Sequence, residues 1–284
     1  MATTREGKQE PLNRRLARRY CESGDVQALQ DDMQGAIASY GRAAELDGRN
    51  ARAQVGLADS YVLLDRDDKA FAAYRRALST DPTNAAAHFG MADLLSRYGR
   101  MDEAVEAMEL AVDCEPERSY YLYRLAELYV ATGEVEFAEE VLRGAIDLDP
   151  KEGLYRYKLG ELHVRSEQWA LAARAYLEAT RCSPLDDFYH VRLATTLIRM
   201  GLRPAAIKVL RRTVRICPDN RAYRYLLGEL LVLVGELEAG SDQLRHAGRL
   251  DNYDRDYVRR VKTRSGQLRD DEKLVLISAV EIPV

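Results

Sequence analysis

The side chains able to carry chemistry are four cysteines (Cys21, Cys114, Cys182, Cys217), four histidines (His88, His163, His190, His246) and a recurring series of carboxylates that includes Asp59, Asp93, Glu127, Glu161 and Glu229. Thiolates and imidazoles at short fixed spacings would hold zinc, but no CxxC pair or zinc spacing occurs. A GxxxxGK[ST] loop would cradle phosphate, and it is missing. Acid–base catalysis needs a close carboxylate pair with separated pKa values in a sheltered site. An open row of mixed charges does not provide one. The reading is a chain that is not an enzyme, with no catalytic residue, no metal, no cofactor and no small-molecule substrate.

A denser signal is YYLYRLAELYV at 120–130, which places Tyr120, Tyr121, Tyr123 and Tyr129 in one short stretch. Phenols at this density can fill a core or form a binding face. Which one each does depends on where it points, and so on the elements that position it.

Those elements repeat. Pro82, Pro116, Pro150, Pro184 and Pro218 follow one another at intervals of 34 residues. Units beginning at Ala17, Ala51, Ala85, Ser119, Gly153, Asp187 and Arg221 then align. Position 8 is Gly or Ala throughout. Position 20 is Ala in six units and Gly240 in the last, and position 27 is Ala except for Thr213. Position 7 is Leu or Met from the second unit on, and position 24 is Tyr40, Tyr74, Met108, Leu142, Tyr176, Leu210 and Leu244. Small residues at 8 and 20 let two helices approach, while large ones at 7, 11 and 24 fill the space beside them. Apolar positions three and four apart mark one helical face. Asp-Pro steps such as DLDPKEG stop one unit and start the next. Gly99, Gly133, Gly201 and Gly235 mark the turn inside a unit. Pro204 suits the start of a second helix.

The pattern of small residues at 8, 20 and 27, large residues at 4, 7, 11 and 24, and Pro at 32 closely resembles the tetratricopeptide repeat. It covers residues 17–254 as seven repeats without insertion (17–50, 51–84, 85–118, 119–152, 153–186, 187–220 and 221–254). The first and last are degenerate, as terminal units with one neighbour often are. The resemblance implies an all-α, right-handed solenoid of helix–turn–helix units whose first helices line a concave groove. A polar segment, 1–16, precedes it. RDYVRRVKTRSGQ (255–267) reads as a capping helix, and 268–284 as an apolar tail rich in β-branched residues.

In that register Tyr121, Tyr155, Tyr189, Tyr223 and Tyr257 all occupy position 3, which in the family faces the preceding second helix. They read as a packing ladder, and Tyr129 at position 11 as core. His163 also sits at position 11 and reads as a hydrogen-bonded core residue. Cys114 and Cys182, two repeats apart, are on the order of 20 Å from each other, too far for a disulfide. Groove positions 2, 5, 6 and 9 supply Tyr120, Tyr123, Arg124, Glu127, Leu154, Tyr157, Lys158, Glu161, Phe188, Arg192, Tyr225 and Glu229 as the candidate peptide-binding set. Tyr and Arg carry much interface energy, and Tyr has few rotors to freeze. An apolar stripe between charges of both signs fits a peptide or helix of another protein. The same rings can instead fill the space between neighbouring first helices, and Arg124–Glu127 and Lys158–Glu161 can be simple helix ion pairs. Position 9 is acidic and Asn is absent from 6 and 9. The carboxylate clamp of chaperone co-factors and the Asn ladder of sugar-transferase repeats are therefore not expected.

The chain of 284 residues has a formal net charge of −4, which argues against a general nucleic-acid binder. Of its 42 basic side chains only 7 are lysine, a bias typical of a GC-rich genome. No signal-like or membrane-spanning apolar run is seen, so a soluble, cytoplasmic, bacterial protein is expected. Two alternatives stay open. AAIKVLRRTVRI, with Lys208, Arg211, Arg212 and Arg215, could meet nucleic acid or an acidic partner, and the apolar tail could drive self-assembly.

Overall fold

The computed structural model describes residues 11–250, and among these every regular element is an α-helix. The helices come in pairs: α1 (Leu12–Leu29) with α2 (Met33–Leu46), α3 (Ala51–Val62) with α4 (Asp67–Thr80), α5 (Ala85–Arg97) with α6 (Met101–Cys114), α7 (Ser119–Thr132) with α8 (Val135–Leu148), α9 (Gly153–Arg165) with α10 (Trp169–Cys182), α11 (Asp187–Arg199) with α12 (Arg203–Ile216), and α13 (Arg221–Leu233) with α14 (Leu237–Leu250). This is an all-α solenoid of helix pairs. The chain divides into two compact units, one up to Leu148 and one from Asp149, although the sequence period runs through the division without a break. The expected capping helix (255–267), the tail (268–284) and Tyr257 lie outside the described residues.

The first helices from α3 onward start at Ala51, Ala85, Ser119, Gly153, Asp187 and Arg221, in step with the 34-residue period. Residue 34 of the preceding repeat explains why for all of them except α7, which follows Arg118 and has no side-chain cap. Asn50, Asn84, Glu152, Asp186 and Asn220 each turn a side-chain oxygen onto a backbone N–H of the helix that follows, at 2.9–3.1 Å for the shorter bond of each. Such a cap satisfies donors that the helix itself cannot. The N-terminus departs from expectation, because α1 begins at Leu12, five residues ahead of the periodic unit. Pro11 stands in front of it with ψ 139°, outside the helix, and its carbonyl accepts from Arg14 and Arg15. The polar segment therefore becomes helical well before residue 17.

The turn inside each pair is fixed by one residue with positive φ. Gly99, Gly133, Gly201 and Gly235 take this place as expected, with φ of 72° to 90°. Asp31, Asp65 and Glu167 hold the same register with φ of 64°, 53° and 56°. All seven pairs thus turn through the left-handed region at one position, three of them without the glycine that makes it easy.

Packing within a pair follows the small and large positions. Ala36, Ala58, Ala70, Ala92, Ala104, Ala138, Ala172, Ala194 and Ala206 are fully enclosed. The Tyr40 ring lies so close that a Cβ built on Gly24 or Gly56 would come within 2.7 or 2.6 Å of it. Tyr121, Tyr155, Tyr189 and Tyr223 are all buried. Tyr189 packs with Ala172, Tyr176 and Ala179 of α10, and Tyr223 with Ile207, Leu210 and Val214 of α12. Tyr189 and Tyr223 of the position-3 ladder therefore seat on the preceding second helix, as expected.

Candidate partner-binding faces

Position 9 carries an acid in every first helix except α11, where it is Thr195, and most of these acids are already engaged. Tyr40 donates to Asp25 at 2.7 Å and Tyr74 to Asp59 at 2.5 Å, while Tyr176 donates to Glu161. In all three the donor sits at position 24, fifteen residues on, in the second helix of the same pair. Burial, and then the neighbouring carboxylate, push these phenols well above their ordinary pKa. Glu127 has no tyrosine at position 24 and accepts from Tyr123, one turn back, at 2.6 Å.

The bases at position 6 complete the network. In the first unit, Arg124 Nη2 meets Asp93 Oδ1 at 2.7 Å on the preceding first helix, and its Nε lies 3.3 Å from Glu127. Nη1 donates to the Tyr120 hydroxyl at 3.4 Å, and the guanidinium stands 5.7 Å from the Phe89 ring centre. Desolvation opposes the charge on Arg124, but Tyr120, Asp93 and Glu127 together hold it above its usual value. On Asp93 desolvation outweighs the attraction of Arg124, and its pKa rises. Such a pair orients the arginine more than it stabilises the fold. The second unit repeats the arrangement: Arg192 Nε lies 3.5 Å from Glu161 and its guanidinium 5.3 Å from the Phe188 ring centre. The Arg124–Glu127 ion pair expected along the helix is present. The cross-helix pairs Arg124–Asp93 and Arg192–Glu161 were not foreseen.

The aromatic set splits in two. Tyr123 and Tyr157, both in the expected peptide-binding set, are only 8% and 9% exposed. Tyr157 stacks on Tyr189 (5.4 Å, 22°) and touches Phe188 and Tyr176. These two rings fill the space between neighbouring helices, so what they offer a partner is an edge at most. Tyr120, by contrast, is 43% exposed and leans on Phe89 at 5.7 Å. Leu154, Phe188 and Tyr225 are half-buried, as are Lys158 and Glu161. Glu229 is half-buried too. Desolvation raises its pKa, and among the described residues it has no hydrogen-bond or ion-pair partner. Leu244 stands where Asp25, Asp59 and Glu161 find a tyrosine.

The histidines serve the scaffold. His163 is buried with Nδ1 at 2.8 Å from Gln168 Oε1, as expected for a core residue. His88 and His190, at position 4, place Nε2 2.9 and 3.1 Å from the carbonyls of Pro82 and Pro184. Arg156 and Arg224, also at position 4, donate to the carbonyls of Pro150 and Pro218, both at 2.7 Å. The signal in the sequence is a hydrogen-bond donor recurring at position 4. The four cysteines are free. Among the described residues no cluster of three or more metal-binding side chains occurs, and no helix is long and apolar enough to cross a membrane.

Residues 15–261 match the family described as the cilia and flagella-associated protein 70 C-terminal domain, a tetratricopeptide-repeat family. The chain belongs to this family. Tetratricopeptide repeats are in general a non-catalytic protein-interaction fold. No curated protein matches the chain. Solved structures resemble it in fold. The C-terminal part of a TPR repeat-containing protein from Cytophaga hutchinsonii aligns with a TM-score of 0.71 at 13% identity, covering 84% of this chain and 97% of that one. PilF of Pseudomonas aeruginosa aligns at 0.62 and 18%, covering 72% and 94%. YrrB, described as a TPR protein with an unusual peptide-binding site, aligns at 0.54 and 20%, covering 70% and 98%.

Proposed function

We propose that this tetratricopeptide chain is a non-catalytic scaffold or adaptor that holds a peptide or helical segment of a partner protein on the first-helix faces of its middle repeats. The observation that carries this reading is the pairing of a partly open ring at position 2 with an arginine beside a carboxylate of the preceding first helix, Tyr120 with Arg124 and Phe188 with Arg192. Large rings with few rotors lose little entropy on contact. An arginine already oriented needs little reorganisation to meet a backbone carbonyl or a carboxylate. In the first unit the edge of Tyr123 adds apolar surface beside Glu127; in the second, Leu154, Tyr225 and the edge of Tyr157 do so beside Lys158, Glu161 and Glu229. A peptide-binding site in YrrB, a fold neighbour, is consistent with this use of the fold.

The test is capture of partners from a lysate of the source organism by the full chain, with mass-spectrometric identification. The purified partner is then titrated against wild type and a Tyr120→Ala, Phe188→Ala variant of unchanged helicity. Loss of binding in the variant is the expected result. Equal binding by both would move the site off these faces.

A further inference from the structure

The second helices are strongly unequal in charge. Helix α6 carries Asp102, Glu103, Glu106, Glu109 and Asp113 and no base, while α12 carries Arg203, Lys208, Arg211, Arg212 and Arg215 and no acid. The chain as a whole is only slightly acidic, so this is segregation and not bulk composition.

On α6 two acids are spent, Glu103 on Arg100 and Glu109 on the Tyr129 hydroxyl. Asp102, Glu106 and Asp113 are exposed and have no ion-pair or hydrogen-bond partner among the described residues. They are spaced by four and seven residues and so share one helical stripe. Leu110, 47% exposed, falls on that stripe between Glu106 and Asp113.

On α12 the matching feature is concave. Lys208, Arg211 and Arg215 line a cleft of about 500 Å³ with Pro204, Ile207, Val234 and Glu236. The three cations are spaced by three and four residues. Arg211 is held by Glu236 at 2.7 Å, and Arg215 Nε donates to the Arg211 carbonyl at 3.2 Å, which keeps both side chains at the rim. Lys208 is exposed and has no ion-pair or hydrogen-bond partner among the described residues. Ile207 and Val234 give the cleft an apolar wall. It therefore fits an acidic helical stripe bearing one aliphatic knob.

We propose that the occupant is a second copy of this chain, with the Asp102–Glu106–Asp113 stripe and Leu110 of one copy seated in the Lys208–Arg211–Arg215 cleft of the next. The argument is complementarity: the same chain carries both halves, matched in sign and helical spacing, with an aliphatic side chain opposite an apolar wall. The two halves are different surfaces, so the contact is heterologous and adds copies in a row or a ring. It is held largely by charges at an exposed rim, so salt weakens it.

The test is the mass of the full chain in solution by sedimentation velocity, across protein concentration and at low and high salt. Two charge reversals are compared, Lys208→Glu with Arg215→Glu, and Glu106→Lys with Asp113→Lys. All four side chains are exposed, and circular dichroism checks the fold. Wild type should gain mass with concentration at low salt and return to the one-chain mass at high salt. Each reversal alone should stay at the one-chain mass. An equimolar mixture of the two should associate again, because each then offers the face that the other needs. The neutral pair Lys208→Gln with Arg215→Gln should show an intermediate loss. A wild type that stays at one-chain mass at low salt, or a mixture that fails to associate, overturns the proposal. Association indifferent to both reversals overturns it as well. Tyr120→Ala should leave the behaviour unchanged, which separates this contact from the partner-binding faces.

Discussion

Tyr74, on the second helix of its pair, donates a hydrogen bond to Asp59 on the first at 2.5 Å. The tyrosine ring is buried, while the carboxylate keeps one side open to water although its surroundings raise its pKa by desolvation. Tyr74→Phe removes the donor and leaves the carboxylate poorly solvated. Because Asp59 is not sealed off, the expected loss is about 1 kcal/mol, at the low end for an orphaned charged acceptor. Hydrogen exchange of the α3 and α4 amides should report it, since an array of repeats need not unfold in one step.

Glu229 is the position-9 acid with neither a tyrosine nor an arginine partner among the described residues. Its folded pKa is raised by desolvation, so the folded chain binds the proton more tightly than the unfolded one. Stability then falls as pH rises from the ordinary carboxylate value through the raised one. Glu229→Gln should raise the melting temperature at neutral pH, and the gain should vanish in acid, where both side chains are neutral. A gain that persisted at low pH would assign the effect to packing.

A donor can also be supplied to Glu229. Gly228 leaves Leu244 the kind of space that Gly160 leaves Tyr176. Leu244→Tyr should place a hydroxyl on Glu229, stabilise the last pair by about 1 kcal/mol and reduce the benefit of Glu229→Gln. A double-mutant cycle on thermal unfolding measures that coupling.

The turn residues give a clean test of backbone strain. A Cβ at Gly133 would meet no atom within 4 Å, so Gly133→Ala is penalised by its φ of 89° alone, by about 1 kcal/mol. At the same register Glu167→Gly should stabilise by a similar amount, reduced by the entropy that glycine gains in the unfolded chain. Opposite signs for the two changes, read by denaturant midpoint, are the expected outcome.

The two groups of tyrosines should separate binding from stability. Tyr120→Ala removes an open ring and should weaken partner binding roughly tenfold or more with little loss of fold. Tyr123→Ala empties a buried site and removes the hydroxyl that donates to Glu127, so it should cost about 3 kcal/mol or more in stability. Titration beside thermal unfolding distinguishes them. Similar effects of both changes on both measurements would erase the distinction drawn from exposure.

Why the periodic residues were readable and the site less so is a matter of range. Alanine at 8 and 20 marks where two backbones touch, and only small side chains fit there, so the contact is written in residue size. Asp31, Asp65 and Glu167 turn left-handed with no side-chain feature to announce it, because the neighbouring helices dictate the backbone. The state of each position-9 acid depends on a residue in another helix: Tyr176 for Glu161, Arg124 for Asp93. Helical spacing within one segment cannot report that, although the fifteen-residue step from acid to tyrosine was present in the sequence. Tyr123 and Tyr157 occupy groove positions by register, yet each ring is largely covered by its neighbours.

The clasps from position 4 onto the proline carbonyls have a mechanical consequence. His88, Arg156, His190 and Arg224 each bridge the bend into their own helix, whereas Leu122, at the same place after Pro116, has no polar atom to do so. Under tension applied through the ends of the chain, the bend at Pro116 lacks this extra bond and should yield at lower force than the four that are clasped. The spacing of the prolines is uniform, but the strength of the bends along the chain is not.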